Sequence, residues 1–182
     1  MRVWAFIGLC FISLGVYAQL YTLAPDGFRI KFFSSTPLED IAAVSKIGRA
    51  VIQSTSNTIQ IKLNTKDFHF KNALMEEHFN ENYMETERFP HSTFSGTILG
   101  LTSYTAEGQY NVTVKGDLEM HGVKKPVQIP GTLLIKNQKL ILHSTFSVLL
   151  KDYNIKIPSL YITNIAEKIE ITFDAQLIPY VK

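Results

Sequence analysis

From Tyr21 onward, apolar and polar residues alternate with a period of two. Phe28-Arg29-Ile30-Lys31-Phe32, Thr58-Ile59-Gln60-Ile61-Lys62-Leu63, Tyr110-Asn111-Val112-Thr113-Val114 and Lys168-Ile169-Glu170-Ile171-Thr172-Phe173-Asp174 all keep it. Successive side chains of a strand point to opposite faces, so each run predicts a strand with one buried and one wetted face. Turn-forming clusters separate the runs: Pro25-Asp26-Gly27, Ser54-Thr55-Ser56-Asn57, Glu107-Gly108-Gln109 and Lys136-Asn137-Gln138. Many short strands in series, with almost no helix between them, predict an all-β antiparallel sandwich or barrel.

One stretch changes period. Between Asn72 and Glu85, Met75, Phe79 and Tyr83 recur every four residues, with Leu74 beside them and acids elsewhere. This is the pattern of an amphipathic helix of about three turns. Pro90 stops it by forcing Phe89 toward an extended conformation. A single helix cannot cover a whole sheet, but it can plug or flank a barrel. The opposite faces of the strands carry Arg29, Lys31, Lys62, Lys168, Glu170 and Asp174. Several candidate strands fall short of the ~10 residues of a membrane strand, and a helix interrupts the series. The barrel is therefore expected to face water and not to span a membrane.

The first residues read differently. Met1-Arg2 is a short positive start, Val3 to Val16 is almost wholly apolar, and Val16-Tyr17-Ala18 ends on a small residue before Gln19. That layout predicts a signal peptide over 1–18, a barrel domain over 19–182, and export to a periplasm or the exterior. Cys10 lies within the apolar run after Leu9, not in the setting of a lipidation site, and is the only cysteine. The expected mature domain therefore uses neither disulfides nor thiol chemistry. Without Arg2 the chain keeps 17 basic against 16 acidic residues, with the signs interleaved. That balance gives no electrostatic case for nucleic acid.

Candidate chemistry is sparse. Of the five histidines, only His78 shares its helix with other potential ligands, namely Glu77, Glu81, Asn82 and Glu85. The His-Glu-x-x-His pattern is absent, so this group reads as a solvated helix face and no metal is expected. A nucleophile elbow, a phosphate loop and a dinucleotide fingerprint are missing too, so no catalytic residue and no cofactor are predicted. Met120-His121-Gly122-Val123 puts a glycine between two strands and predicts a tight hairpin. Lys124-Lys125 beside it could meet an anionic head group, although two adjacent lysines at a turn are more commonly a solubility feature.

Two segments carry a resemblance. The first is Tyr83-Met84-Glu85, Phe89-Pro90 and Thr93-Phe94; the second is Gly116, Leu118, Met120, Gly122, Val123, Lys125 and Val127 in the order Gly-x-Leu-x-hydrophobic-x-Gly-Val-x-Lys-x-Val. Together they resemble the YceI-like family of exported lipid-binding barrels. A weaker echo is Lys151-Asp152-Tyr153-Asn154-Ile155, where relatives show a basic residue, an acid, an aromatic and Gly. Leu74-Met75 replaces the family's Arg-Asp pair, and any role of that pair is not carried over. The resemblance implies an elongated, lipocalin-like antiparallel barrel of about eight strands, a homodimer, and a lumen for isoprenoid-like or other long-chain lipids. Candidate lining residues, apolar and on period-two strands, are Phe32, Ile61, Phe94, Val112, Leu118, Phe146 and Ile171, with Phe79 near a mouth. Three readings stand: a lipid carrier, an enzyme or accessory acting on a lipid in the same lumen, and a packed barrel working through protein partners. The carrier leads.

Overall fold

The computed structural model describes residues 19–158 and 164–181. The signal-peptide reading of 1–18, Cys10 included, lies outside the described residues.

The period-two runs become strands that close on themselves. β1 (Leu20–Ser35) pairs along one side with β10 (Lys168–Pro179), and along the other with β3 (Arg49–Gln53) and then β2 (Asp40–Ser45). From β3 the wall continues through β4 (Thr58–Asn64), β6 (His91–Leu99), β7 (Gly108–Met120), β8 (Val123–Lys136) and β9 (Lys139–Leu149), and returns to β10. Every pairing is antiparallel, and the closed ring has eight strands. β2 and the two-residue β5 (His69–Phe70) extend the wall beside β1. Closure removes the free edges that an open sheet would expose.

Alternation sets the polarity of the wall. In β7 the buried positions are Val112, Val114, Leu118 and Met120, while Asn111, Lys115 and Asp117 face out. Charge outside and apolar side chains inside is the reverse of a barrel built for lipid. Among the described residues, no helix is long and apolar enough to cross a membrane.

The turn chemistry acts as expected at three places. His121 and Gly122 have φ of 50° and 70°, so β7 and β8 join through a two-residue turn with both residues left-handed. Asn137 and Gln138 make the equivalent reversal between β8 and β9, with φ of 50° and 61°. Ser54–Asn57 turns β3 into β4. Pro25-Asp26-Gly27 does not turn the chain. β1 pairs with β10 on both sides of it, with a register shift between Leu23 and Phe28, so the cluster is a bulge inside one long strand. The interruption lies instead alongside β1, where Lys46–Gly48 separates β2 from β3.

The predicted helix is present in two parts. α1 (Ala73–His78) is capped by the Asn72 side chain, which accepts from the Leu74 amide at 2.9 Å. It runs directly into a π-helical turn over Phe79–Tyr83, where the Met84 amide donates to the Phe79 carbonyl. The helical segment lies across one end of the barrel, between β5 and β6.

Candidate ligand-binding lumen

The two ends of the barrel are filled differently. At the end formed by the β3–β4 and β8–β9 turns, the inward side chains are fully buried against one another. Ile52, Leu133, Leu140 and Leu177 are each 0% exposed there. The loop between β6 and β7 adds Leu101 and Tyr104, and the Tyr104 ring stacks on Tyr21 at 5.8 Å. Burial, reinforced by the Tyr21 phenol, pushes the Tyr104 hydroxyl up to about 12, and no described residue bonds that hydroxyl.

Toward the helix the same wall encloses a cavity of about 450 Å³. That volume is typical of a small-molecule site and accommodates on the order of fifteen water- or methylene-sized groups at ~30 Å³ each. Its floor is Ile59, Val114, Leu142 and Phe173. Its roof is an aromatic group centred on Phe79, whose ring lies 5.3 Å from Phe32, 5.7 Å from Phe68 and 5.1 Å from Phe70. Phe79 comes from the π-turn, Phe32 from β1, and Phe68 and Phe70 from the segment leading into the helix.

Specific contacts hold the roof in place. The Glu76 carboxylate accepts from the Phe70 amide at 3.0 Å, which ties the helix to β5. His121, at the tip of the β7–β8 hairpin, is buried. Its Nδ1–H donates to the Tyr153 carbonyl at 2.9 Å, and its Nε2 meets the Glu85 carboxylate at 3.1 Å. Its ring also stands edge-on to Phe89 at 4.6 Å. One imidazole thus links the segment after the helix, the hairpin, and the 3-10 turn Leu150–Tyr153 that follows β9. That turn ends on Asn154 at φ 56°, a left-handed position that Asn adopts at low cost in place of Gly. Gly122 serves the same packing, because a Cβ there would stand 2.5 Å from the Phe89 ring.

Most polar atoms in the lumen wall bond to the protein itself. Thr65 and Ser92 share a hydrogen bond at 3.2 Å, Ser144 donates to the Pro130 carbonyl at 2.6 Å, and Ser34 accepts from the Ala166 amide at 2.9 Å. What remains toward the interior is overwhelmingly hydrocarbon.

Of the residues expected from sequence to line a lumen, Phe32, Ile61, Phe79, Phe94, Leu118, Phe146 and Ile171 border the cavity. Val112 does not. It points inward as its alternation requires, but lies within the packed half, buried among core residues. Lys124 and Lys125 are exposed and absent from the cavity lining; Lys124 is on the outer face and pairs with Glu119 at 3.7 Å, and Lys125 lies opposite Leu118 near the strand's end. His78, read as part of a solvated helix face, instead borders the cavity. Among the described residues, no three His, Cys, Asp or Glu side chains converge as metal ligands would. Phe68 and Phe70 were missed in the sequence, although Asp67-Phe68-His69-Phe70 shows a short alternation of its own.

A family model described as a YceI-like domain matches residues 21–177. A UPF0312 protein of Pseudomonas fluorescens is 29% identical over 77 residues, a stretch covering 42% of this chain and 39% of that relative. Among solved structures, a polyisoprenoid-binding domain from Saccharophagus degradans, implicated in plant cell wall breakdown, superposes with a TM-score of 0.75 at 13% identity. That match covers 90% of this chain and 100% of the other. Burkholderia cenocepacia BcnA gives a TM-score of 0.66 at 14% identity over 82% of this chain and 95% of its own. At such identities these likenesses speak for the fold.

Proposed function

The chain belongs to the YceI-like family, and we propose that it is a binding or carrier protein holding the tail of a long-chain apolar ligand, isoprenoid-like or otherwise lipidic, in the lumen beneath the helix. One observation carries this reading: a folded barrel keeps about 450 Å³ of apolar space beside a core packed solid. Natural interiors close such space unless something occupies it. Each buried methylene contributes ~0.8 kcal/mol, so about ten buried carbons outweigh the cost of ordering the ligand. Export belongs to the same proposal, motivated by the apolar run and the Val16-Tyr17-Ala18 sequence before Gln19. Intact mass of the exported protein tests that part, and retention of 1–18 would overturn it.

The ligand reading is tested by extracting the purified protein with organic solvent and identifying apolar material by mass spectrometry. The stripped protein is then offered an environment-sensitive hydrophobic dye. Uptake of one dye per protein, displaced by long-chain compounds, is the expected result. A stripped protein that stays folded but takes up neither dye nor lipid would end the carrier reading.

A further inference from the structure

The mouth of the lumen carries a carboxylate. Among the described residues that border the cavity, Glu39 is the single carboxylate, His78 is the one imidazole, and there is no lysine or arginine. Glu39 closes the turn between β1 and β2, where the Thr36 amide donates to the Glu39 carbonyl at 3.0 Å and the Thr36 hydroxyl receives the Glu39 amide at 3.1 Å. This turn fixes the backbone from which the carboxylate reaches the cavity. Across the mouth, the Asn164 amide donates to Glu39 Oε2 at 3.0 Å and holds one oxygen in place. Lysines at this end of the barrel stay outside: Lys71, Lys124, Lys125 and Lys151 are all exposed, and none borders the lumen.

We infer that this protein selects among long-chain amphiphiles by their heads, taking those that donate hydrogen bonds and carry no negative charge and rejecting those with a carboxylate or phosphate. The inference rests on the lumen reading above and adds the head-group class to it. A tail seated in the apolar cavity leaves its head at the rim formed by the β1–β2 turn, the start of the helix and Asn164. There a hydroxyl or amide N–H finds a carboxylate acceptor. An anionic head finds like charge in a partly desolvated place with no lysine or arginine among the described lining residues to offset it. Building an uncompensated charge against the wrong partner is a recognised route to specificity. The chemistry reverses what Lys124-Lys125 suggested in the sequence, because both side chains are exposed and neither borders the cavity.

The test is a displacement series with the purified protein and a neutral hydrophobic dye. The competitors are saturated sixteen-carbon chains ending in alcohol, primary amide, carboxylate or monophosphate, each below its aggregation concentration. The alcohol and amide are expected to compete at least ~10-fold better than the carboxylate and phosphate, equivalent to ~1.4 kcal/mol. In Glu39→Gln the ratio of anion to amide affinity should rise by ~10-fold. Anions that compete equally or better with the wild type would overturn the inference while leaving the lumen reading intact. So would a Glu39→Gln protein with the wild-type ratio. If the dye binds nowhere, both fall together. The wild-type series decides the inference even if the variant folds poorly.

Discussion

The two halves of this barrel share strands, alternation and composition, yet one is solid and the other hollow. In β7 the contrast is within a few residues: Val112 is buried in the packed half, while Val114 and Leu118 face the cavity. The difference comes from what enters each end. The packed end receives Leu101 and Tyr104 from the β6–β7 loop, which fill the space between inward side chains. The other end receives a helix that roofs the cavity at Phe79 without descending into it. Packing is thereby unequal along the barrel axis: both halves contribute to the buried core, but only the half beneath the helix keeps apolar space.

Substitutions in the two halves should part company. The largest effect is expected from Leu133→Ala in the packed half, where an unrelieved cavity costs about 2–5 kcal/mol. Phe146→Ala in the hollow half borders existing space and should cost less than half as much, while lowering dye affinity. Denaturant unfolding and dye titration of both variants give the comparison. Equal destabilisation would mean that the hollow half is packed in solution.

Enlarging a side chain sharpens the same contrast. Val112→Trp should overpack the solid half and cost about 1–3 kcal/mol, with uptake reduced only as far as folding is. Leu118→Trp should enter the cavity, leave unfolding within ~1 kcal/mol, and weaken dye binding by at least ~10-fold. A reversed pattern would show the cavity to be misplaced along the strands.

Alkali should weaken the packed half through Tyr104. The Tyr104 phenol, raised to about 12 by burial and then by Tyr21, ionises later in the folded protein than in the unfolded chain, where phenols ionise near 10. Its contribution is therefore complete below pH ~10 and is lost as pH rises toward ~12. Ultraviolet titration of Tyr104→Phe against wild type should remove one late-ionising phenol and flatten the loss of stability in that window. An unchanged titration curve would contradict the burial. The smallest effect is expected from charge reversal at Lys124 and Lys125, both exposed and outside the cavity lining. Stability should move by less than ~0.5 kcal/mol, and dye affinity should stay within about twofold.

Much of this architecture was legible in the sequence. Period-two runs name the strands and their inward faces, and Met75, Phe79 and Tyr83 mark the helix. Depth along the barrel was not legible. Val112 and Val114 carry the same signal, yet only Val114 borders the cavity, a difference set by what packs around each and not by alternation. Pro25-Asp26-Gly27 has the chemistry of a turn, but continued pairing of β1 with β10 on both sides makes it a bulge. Lys124-Lys125 follows a hairpin at the end where the helix lies; the pleat sends Lys124 outward, while Lys125, opposite Leu118, is exposed near the end of the strand and does not border the cavity. Glu39 could not be distinguished from any other loop acid until the β1–β2 turn was set against Asn164.

The central claim is that one apolar chain occupies the hollow half. Native mass spectrometry of the stripped protein with a sixteen-carbon amide tests it most directly, with Leu118→Trp measured alongside. The expected result is one bound chain per protein in the wild type and a severalfold lower bound fraction in Leu118→Trp. A wild-type protein that remains folded with no chain bound, or a Leu118→Trp protein that binds as well as wild type, would contradict it.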